Sequence, residues 1–294
     1  MDVPHRFAVC NELFEKLPFA EACREVSALG YEGLEIAPFT LSEDPATLGT
    51  EDRQRIREVL VRHRLEFVGF HWLLAVPEGL HATARDEQVR KRTWDYVHSL
   101  IDLCADLAEP GAKSVMVFGS PKQRSAVDGM SIREATDALT HGLAHAAPRA
   151  ESRGVTILLE ALSPDQTDVV MCLADAVGIV KQIRSAAIQT MFDTHNAKSE
   201  TEPHGALVRK YAPYIQHVHV NEMDGREPGA GDYDFESLMG ALEELNYRGW
   251  VSVEAFDLTR DAREVAARAI DRLRRASHSE VEGAAALAAA SRAL

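Results

Sequence analysis

Carboxylate or imidazole side chains stand at the ends of four successive apolar, β-branched runs. Glu160 closes Ile157-Leu158-Leu159-Glu160-Ala161, and Asp193 closes Thr190-Met191-Phe192-Asp193. His217 and His219 alternate with valines in Gln216-His217-Val218-His219-Val220-Asn221-Glu222, and Glu254 follows Val251-Ser252-Val253. Residues two apart in a strand share a face, so the two histidines point one way and Val218 and Val220 the other. Three carboxylates gathered away from water repel one another and take up protons unless a cation sits among them. With one imidazole they form an oxygen-rich, moderately hard donor set for one divalent metal ion. That set favours Mn²⁺ or Mg²⁺, with Co²⁺ or Zn²⁺ as alternatives. Each residue has an ordinary reading by itself. A strand-end carboxylate often caps a helix or pairs with a base, and a lone histidine is often a satisfied core residue. The signal is the set, with a ligand-type residue at the same end of each of four consecutive strands. His217 is read as a supporting or substrate-contacting residue rather than as a ligand.

Positioning these groups requires strands in parallel. Apolar runs predict strands at Arg6–Cys10, Gly33–Ala37, Glu66–Trp72, Ser114–Gly119, Val155–Ala161, Ile188–Asp193, Ile215–Asn221 and Trp250–Phe256. Amphipathic stretches predict helices at Phe19–Leu29, Glu51–His63, Glu87–Leu107, Ile132–Arg153, Leu173–Ile183, His204–Tyr211, Phe235–Leu245 and Arg260–Arg275. Alternation of strand and helix implies a parallel sheet built by crossovers. Eight repeats favour an α/β fold closed as a single (β/α)8 TIM barrel over an open doubly wound sheet, and no G-x-G-x-x-G follows any strand. In such a barrel the C-terminal strand ends converge on one site. The 294 residues fit one barrel of about 250 residues with additions: residues 1–278 as the barrel and 279–294 as an Ala-rich C-terminal extension, either an extra helix or a tail. The long segment Trp72–Asp86 falls at the catalytic face.

Charge and composition narrow the partners. A formal net charge of -14 opposes binding to a phosphate backbone, so no nucleic-acid partner is expected. No apolar run approaches the ~20 residues of a membrane span, and the start shows no signal peptide. Cys10, Cys23, Cys104 and Cys172 are scattered without a C-x-x-C pair, which suits a reducing compartment. A cytoplasmic location without a membrane partner is the expectation.

The chain resembles the xylose isomerase-like TIM barrel superfamily, in particular its sugar phosphate isomerase/epimerase group, which includes ketose 3-epimerases and hydroxypyruvate-isomerase-like proteins. The resemblance spans roughly Arg6 to Arg275. It is carried by His217-Val218-His219-Val220-Asn221-Glu222, Pro228-Gly229-Ala230-Gly231-Asp232, Tyr247-Arg248-Gly249-Trp250-Val251-Ser252-Val253-Glu254 and Tyr31-Glu32-Gly33-Leu34-Glu35. It implies that Glu160, Asp193, His219 and Glu254 bind one metal and that Glu160 and Glu254 are the acid/base pair. It also implies a small sugar or sugar-derived substrate and, as is common in that group, a homo-oligomer. Three departures bear on which sugar is taken, not on the metal set. The Asp-Thr-x-His of ketose 3-epimerases is one residue shorter in Asp193-Thr194-His195-Asn196, which maps the substrate-binding histidine to His195. Their Asn-Arg-x-Glu is replaced by Ser163-Pro164-Asp165-Gln166. Their arginine six residues after the metal histidine becomes Gly225, with Arg226 one step later.

The chemistry so implied is removal of a proton from a carbon next to a carbonyl. One glutamate takes the proton and the other returns it, while the metal stabilises the cis-enediolate between. Return to the neighbouring carbon gives isomerisation, and return to the opposite face gives epimerisation. An inositol-type dehydratase would begin with the same step and then expel water. An apurinic/apyrimidinic endonuclease would need more zinc ligands, and a non-catalytic metal-binding barrel would not need two glutamates. Around the mouth, Glu35 and His71 either bind substrate hydroxyls or buttress the ligands. Lys122 and Arg124 either receive a phosphate or carboxylate or are solvated loop cations. Trp72 and Phe256 are an apolar wall or core aromatics.

Overall fold

The computed structural model describes residues 5–291, with side chains through Ser277. Eight strands close into a barrel in chain order: β1 Arg6–Cys10, β2 Gly33–Ile36, β3 Glu66–Phe70, β4 Ser114–Phe118, β5 Val155–Leu159, β6 Ile188–Asp193, β7 Ile215–Val220 and β8 Trp250–Val253. Every neighbouring pair is parallel, and β8 returns to β1. A helix follows each strand: α1 Phe19–Ala28, α2 Thr50–Arg62, α3 Glu87–Leu107, α4 Ile132–Arg153, α5 Leu173–Ile183, α6 His204–Tyr211, α7 Phe235–Glu244 and α8 Ala262–Ser291. The chain is therefore a single (β/α)8 barrel.

Helices α3 to α6 have the expected bounds because their ends carry local stop signals. Asp86 accepts hydrogen bonds from the amides of Gln88 and Val89 at the start of α3. Ser131 and Glu134 satisfy one another's backbone amides at the start of α4, a reciprocal cap that occupies two otherwise unpaired donors. Strands end earlier than their apolar runs. β3 stops at Phe70 rather than Trp72, since Trp72 turns into a left-handed conformation at φ 51. β8 stops at Val253 rather than Phe256, whose amide bonds the loop carbonyl of Gly225 at 2.9 Å. The last helix, expected at Arg260–Arg275, instead continues to Ser291. It takes in most of the Ala-rich segment; side chains beyond Ser277 and residues 292–294 lie outside the described residues.

Alternation along each strand sorts side chains into two cores. Val9, Leu34, Phe70, Phe118, Val218 and Val253 face outward into the main core between sheet and helices. Burial of each such side chain contributes about 1.5–3 kcal/mol. Val117, Leu158 and Met191 form a separate cluster inside the barrel. The ladder between β2 and β3 is irregular. Leu34 pairs with Phe67 and Glu35 with Gly69, so Val68 is skipped. Gly69 has φ 154, and a Cβ there would lie 1.9 Å from the Val115 carbonyl oxygen, so only glycine is accommodated. The extra residue re-phases β3, and His71 turns inward beside Glu35, its Nδ1 3.6 Å from Oε1.

Candidate metal and acid/base site

β5, β6, β7 and β8 deliver Glu160, Asp193, His219 and Glu254 to one point. Each offers an atom within 4.8 Å of the others, and all four are buried. His219 Nδ1 lies 3.1 Å from Glu254 Oε2 and 3.8 Å from Asp193 Oδ2. The carboxylates are held from behind. Asn196 donates from Nδ2 to Glu160 Oε1 at 2.8 Å and from its backbone amide to Asp193 Oδ1 at 2.6 Å. Asn221 Nδ2 donates to Asp193 Oδ2 at 3.3 Å, and Trp72 Nε1 donates to Glu254 Oε1 at 3.0 Å. Gly119 leaves room for Glu160, since a Cβ at that position would lie 2.2 Å from Oε2.

The electrostatics of this cluster test its fitness for a cation. Burial, with Asp193 and Glu254 as negative neighbours, pushes the Glu160 carboxyl up to about 8. Burial and Glu254 push Asp193 up to about 7. Glu254 moves the other way: burial works to raise it, but His219, the His219 hydrogen bond, His71 and the Trp72 hydrogen bond hold it below the ordinary carboxylate range. Two carboxyls that retain protons near neutrality because they are buried and face other carboxylates form a strained set. A divalent cation would relieve that strain, and three carboxylates with one imidazole suit such an ion.

The remaining candidates divide by position. His71, Lys122 and His195 line a cavity of about 610 Å³ that reaches Glu160 and Glu254 and is walled by the half-exposed Trp72 and Phe256. Glu35 and His217 lie beneath the cluster, fully buried, and do not line that cavity. Two readings are corrected. Arg124 is not a loop cation open to a phosphate or carboxylate. It is fully buried, and its guanidinium donates to the backbone carbonyls of Phe118, Glu160 and Val170, tying β4 to the end of β5. Arg226 is not among the residues that line the cavity, and it pairs with Asp224 at 2.7 Å.

Two contributors escaped the sequence reading. Glu12, in the turn after β1, is buried and bonds His71 Nε2 at 2.8 Å. Asn196 grips both Glu160 and Asp193, and its only sequence signal is its place three residues after a strand-end aspartate. A larger depression, about 990 Å³, lies between α2 and the end of α3 among Arg53, Arg57, Arg62 and Arg153. It contains none of the converging ligands.

A family model described as xylose isomerase-like TIM barrel matches residues 23–276. Fructoselysine 3-epimerase of Shigella flexneri is 23% identical over 274 residues, covering 88% of this chain and 94% of that protein. D-psicose 3-epimerase of Agrobacterium fabrum is 29% identical over 107 residues, 36% of this chain and 37% of that protein. A crystal structure of D-psicose 3-epimerase, obtained in the presence of D-fructose, superposes with a TM-score of 0.80 at 18% identity, covering 92% of this chain and 99% of that one. That last likeness bears on the fold alone.

Proposed function

This chain belongs to the xylose isomerase-like TIM barrel family, and from that premise we propose that it is a divalent-metal-dependent epimerase or isomerase of a ketose or related hydroxy-carbonyl sugar. The observation that carries the reading is the meeting of Glu160, Asp193, His219 and Glu254 within 4.8 Å of one another, with both glutamates on the cavity wall. The names of the relatives, fructoselysine 3-epimerase and D-psicose 3-epimerase, favour epimerisation.

Glu160, Asp193, His219 and Glu254 would hold the ion, with Mn²⁺ or Mg²⁺ preferred by the oxygen-rich donors. When bound, a divalent cation neutralises the carboxylates and draws charge from a substrate carbonyl. Glu254 is the proton acceptor in this reading; it faces the cavity, and the Trp72 indole donates to its Oε1. Glu160, which also faces the cavity, is the group that returns the proton in this reading. Asn196 fixes the orientation of the donor. Trp72 and Phe256 exclude water from one side of the cavity, so that a carbanion is not quenched by solvent.

The donors that a multi-zinc phosphodiesterase would recruit are already engaged: Glu35 with His217 and His219, and His71 with Glu12. The four cysteines are unpaired, and among the described residues no helix is long and apolar enough to cross a membrane; a cytoplasmic enzyme with a small-molecule partner is the corresponding proposal. The test is solvent deuterium exchange into a panel of ketoses, inositols and hydroxypyruvate with added Mn²⁺, alongside elemental analysis. One metal per chain and exchange at a carbon beside a ketose carbonyl are expected. Three metals per chain, or exchange with loss of water, would replace this reading with nuclease or dehydratase chemistry.

A further inference from the structure

Below the four converging side chains lies a second buried group that touches neither the cavity nor solvent. Glu35, on β2, places Oε1 2.9 Å from His219 Nε2 and Oε2 2.8 Å from His217 Nε2. All three residues are buried to within 1% of full enclosure. A carboxylate accepts at both oxygens and donates at neither. Each of its oxygens stands within hydrogen-bond distance of one ring nitrogen, so both ring nitrogens that face it donate. His219 therefore carries its proton on Nε2. Its other nitrogen, Nδ1, is the one turned toward Glu254 and Asp193.

Resting on the metal reading above, we infer that Glu35 is a positioning residue: it locks His219 in the ring orientation and tautomer that presents the Nδ1 lone pair to the ion. Glu35 and His217 thus act through the metal ligand and not on substrate hydroxyls. His217 keeps the second carboxylate oxygen occupied, which stops Glu35 from swinging away from His219. The bulge at Gly69 serves the same end, since it occurs at the register position of Glu35. Groups that orient a ligating histidine are worth about 10–100-fold in metal affinity when removed.

Glutamine at position 35 is nearly isosteric but has an acceptor at one end and a donor at the other. It can satisfy one imidazole and must face the other donor to donor. In Glu35→Gln, Mn²⁺ affinity measured by titration calorimetry is expected to fall about 10–100-fold. Leu158→Ala, on the apolar side of the barrel interior, is the control for general damage and is expected to lower the unfolding temperature without moving Mn²⁺ affinity. A Glu35→Gln protein that binds Mn²⁺ like wild type overturns the inference. So does a Leu158→Ala protein that weakens binding equally, because the effect would then be barrel softening. Should Glu35→Gln fail to fold, ¹⁵N-histidine NMR of the Zn²⁺-loaded wild type decides: the proton on Nε2 of His219 supports the inference, and metal on Nε2 overturns it. A wild type that binds no divalent ion removes the proposed function and this inference together, whereas unchanged binding in Glu35→Gln removes this inference alone.

Discussion

The interior of the barrel is divided into two unlike halves. β4, β5 and β6 fill theirs with Val117, Leu158 and Met191. β7, β8, β1 and β2 fill theirs with His217, His219, Ser252, Cys10 and Glu35, all buried. The outer layer of aliphatic and aromatic side chains runs around both, so closure of the barrel does not depend on which half is polar. What depends on it is the behaviour of the carboxyls above. Glu160 and Asp193 rise from the apolar side, where burial and neighbouring carboxylates outweigh His219 and the donors that reach them, and they are pushed up to about 8 and 7. Glu254 rises from the polar side, where His219 and His71 counter the same penalty, and it is held below its ordinary range. Three similar side chains acquire different proton affinities from their different neighbours. Buried ion pairs are weak sources of stability, so a polar half of this size is better explained by control of the site than by folding.

The largest expected effect comes from removing either proposed proton-transfer group. Glu160→Gln and Glu254→Gln should each lower kcat/KM by about 10²–10⁴-fold, measured on whichever ketose undergoes exchange. The two should part company in stability when the metal is stripped with a chelator. Glu160→Gln replaces a carboxyl already disfavoured as an anion, so the metal-free protein should unfold at the same or a higher temperature at pH 8. Glu254→Gln takes the ionised partner from His219 and should cost about 1.5–3 kcal/mol, the range for a hydrogen bond to a charged group. Equal losses in both variants would erase the distinction between the two sides.

A smaller effect follows from pH. In the metal-free protein Glu160 and Asp193 have raised affinities for protons, near 8 and 7. For a carboxyl whose folded value lies above its unfolded value, the folded state binds more protons in between, so its contribution to stability declines as pH rises from about 4 toward 8. A cation must displace those protons, each worth about 1.4 kcal/mol per pH unit. The gap in unfolding temperature between Mn²⁺-loaded and chelator-treated protein should therefore widen from pH 6 to pH 8. Groups remote from the ion, such as His5, which burial lowers to about 4, cancel in that difference. A gap that stays constant would mean that the ion displaces no protons.

Much of this arrangement was legible in the residues, for a reason that also marks its limit. Period-two alternation in the runs ending at Glu160, Asp193, His219 and Glu254 is a local property, and it sets which face each side chain occupies. Helices such as Glu87–Leu107 carry their caps within a few residues. Strand ends were overrun because an apolar run continues after the ladder stops, as at Trp72 and Phe256. Arg124 was misjudged because its acceptors belong to β4, to Glu160 and to Val170, far apart in sequence. Glu12 and Asn196 were missed because neither sits in an alternating strand; their partners exist only once the barrel has closed.

The smallest expected effects separate two surface cations that look alike in the sequence. Lys122 is exposed at the cavity rim, whereas Arg226 is paired with Asp224 outside it. An exposed charge contributes about 0.2–1 kcal/mol to an ion pair, which corresponds to at most about fivefold in KM. Lys122→Ala should raise KM within that limit for a phosphorylated or carboxylated ketose and leave a neutral ketose unchanged. Arg226→Ala should alter neither, nor move the unfolding temperature measurably, because solvent replaces Asp224 as its partner. The check is KM for both variants on a neutral ketose and its phosphorylated counterpart at low and high salt. If Lys122→Ala behaves like Arg226→Ala on the anionic substrate, the rim does not select for charge. On the proposed function, the cavity would then discriminate among sugars only near Glu160, Asp193, His219 and Glu254, where the polar and apolar halves meet.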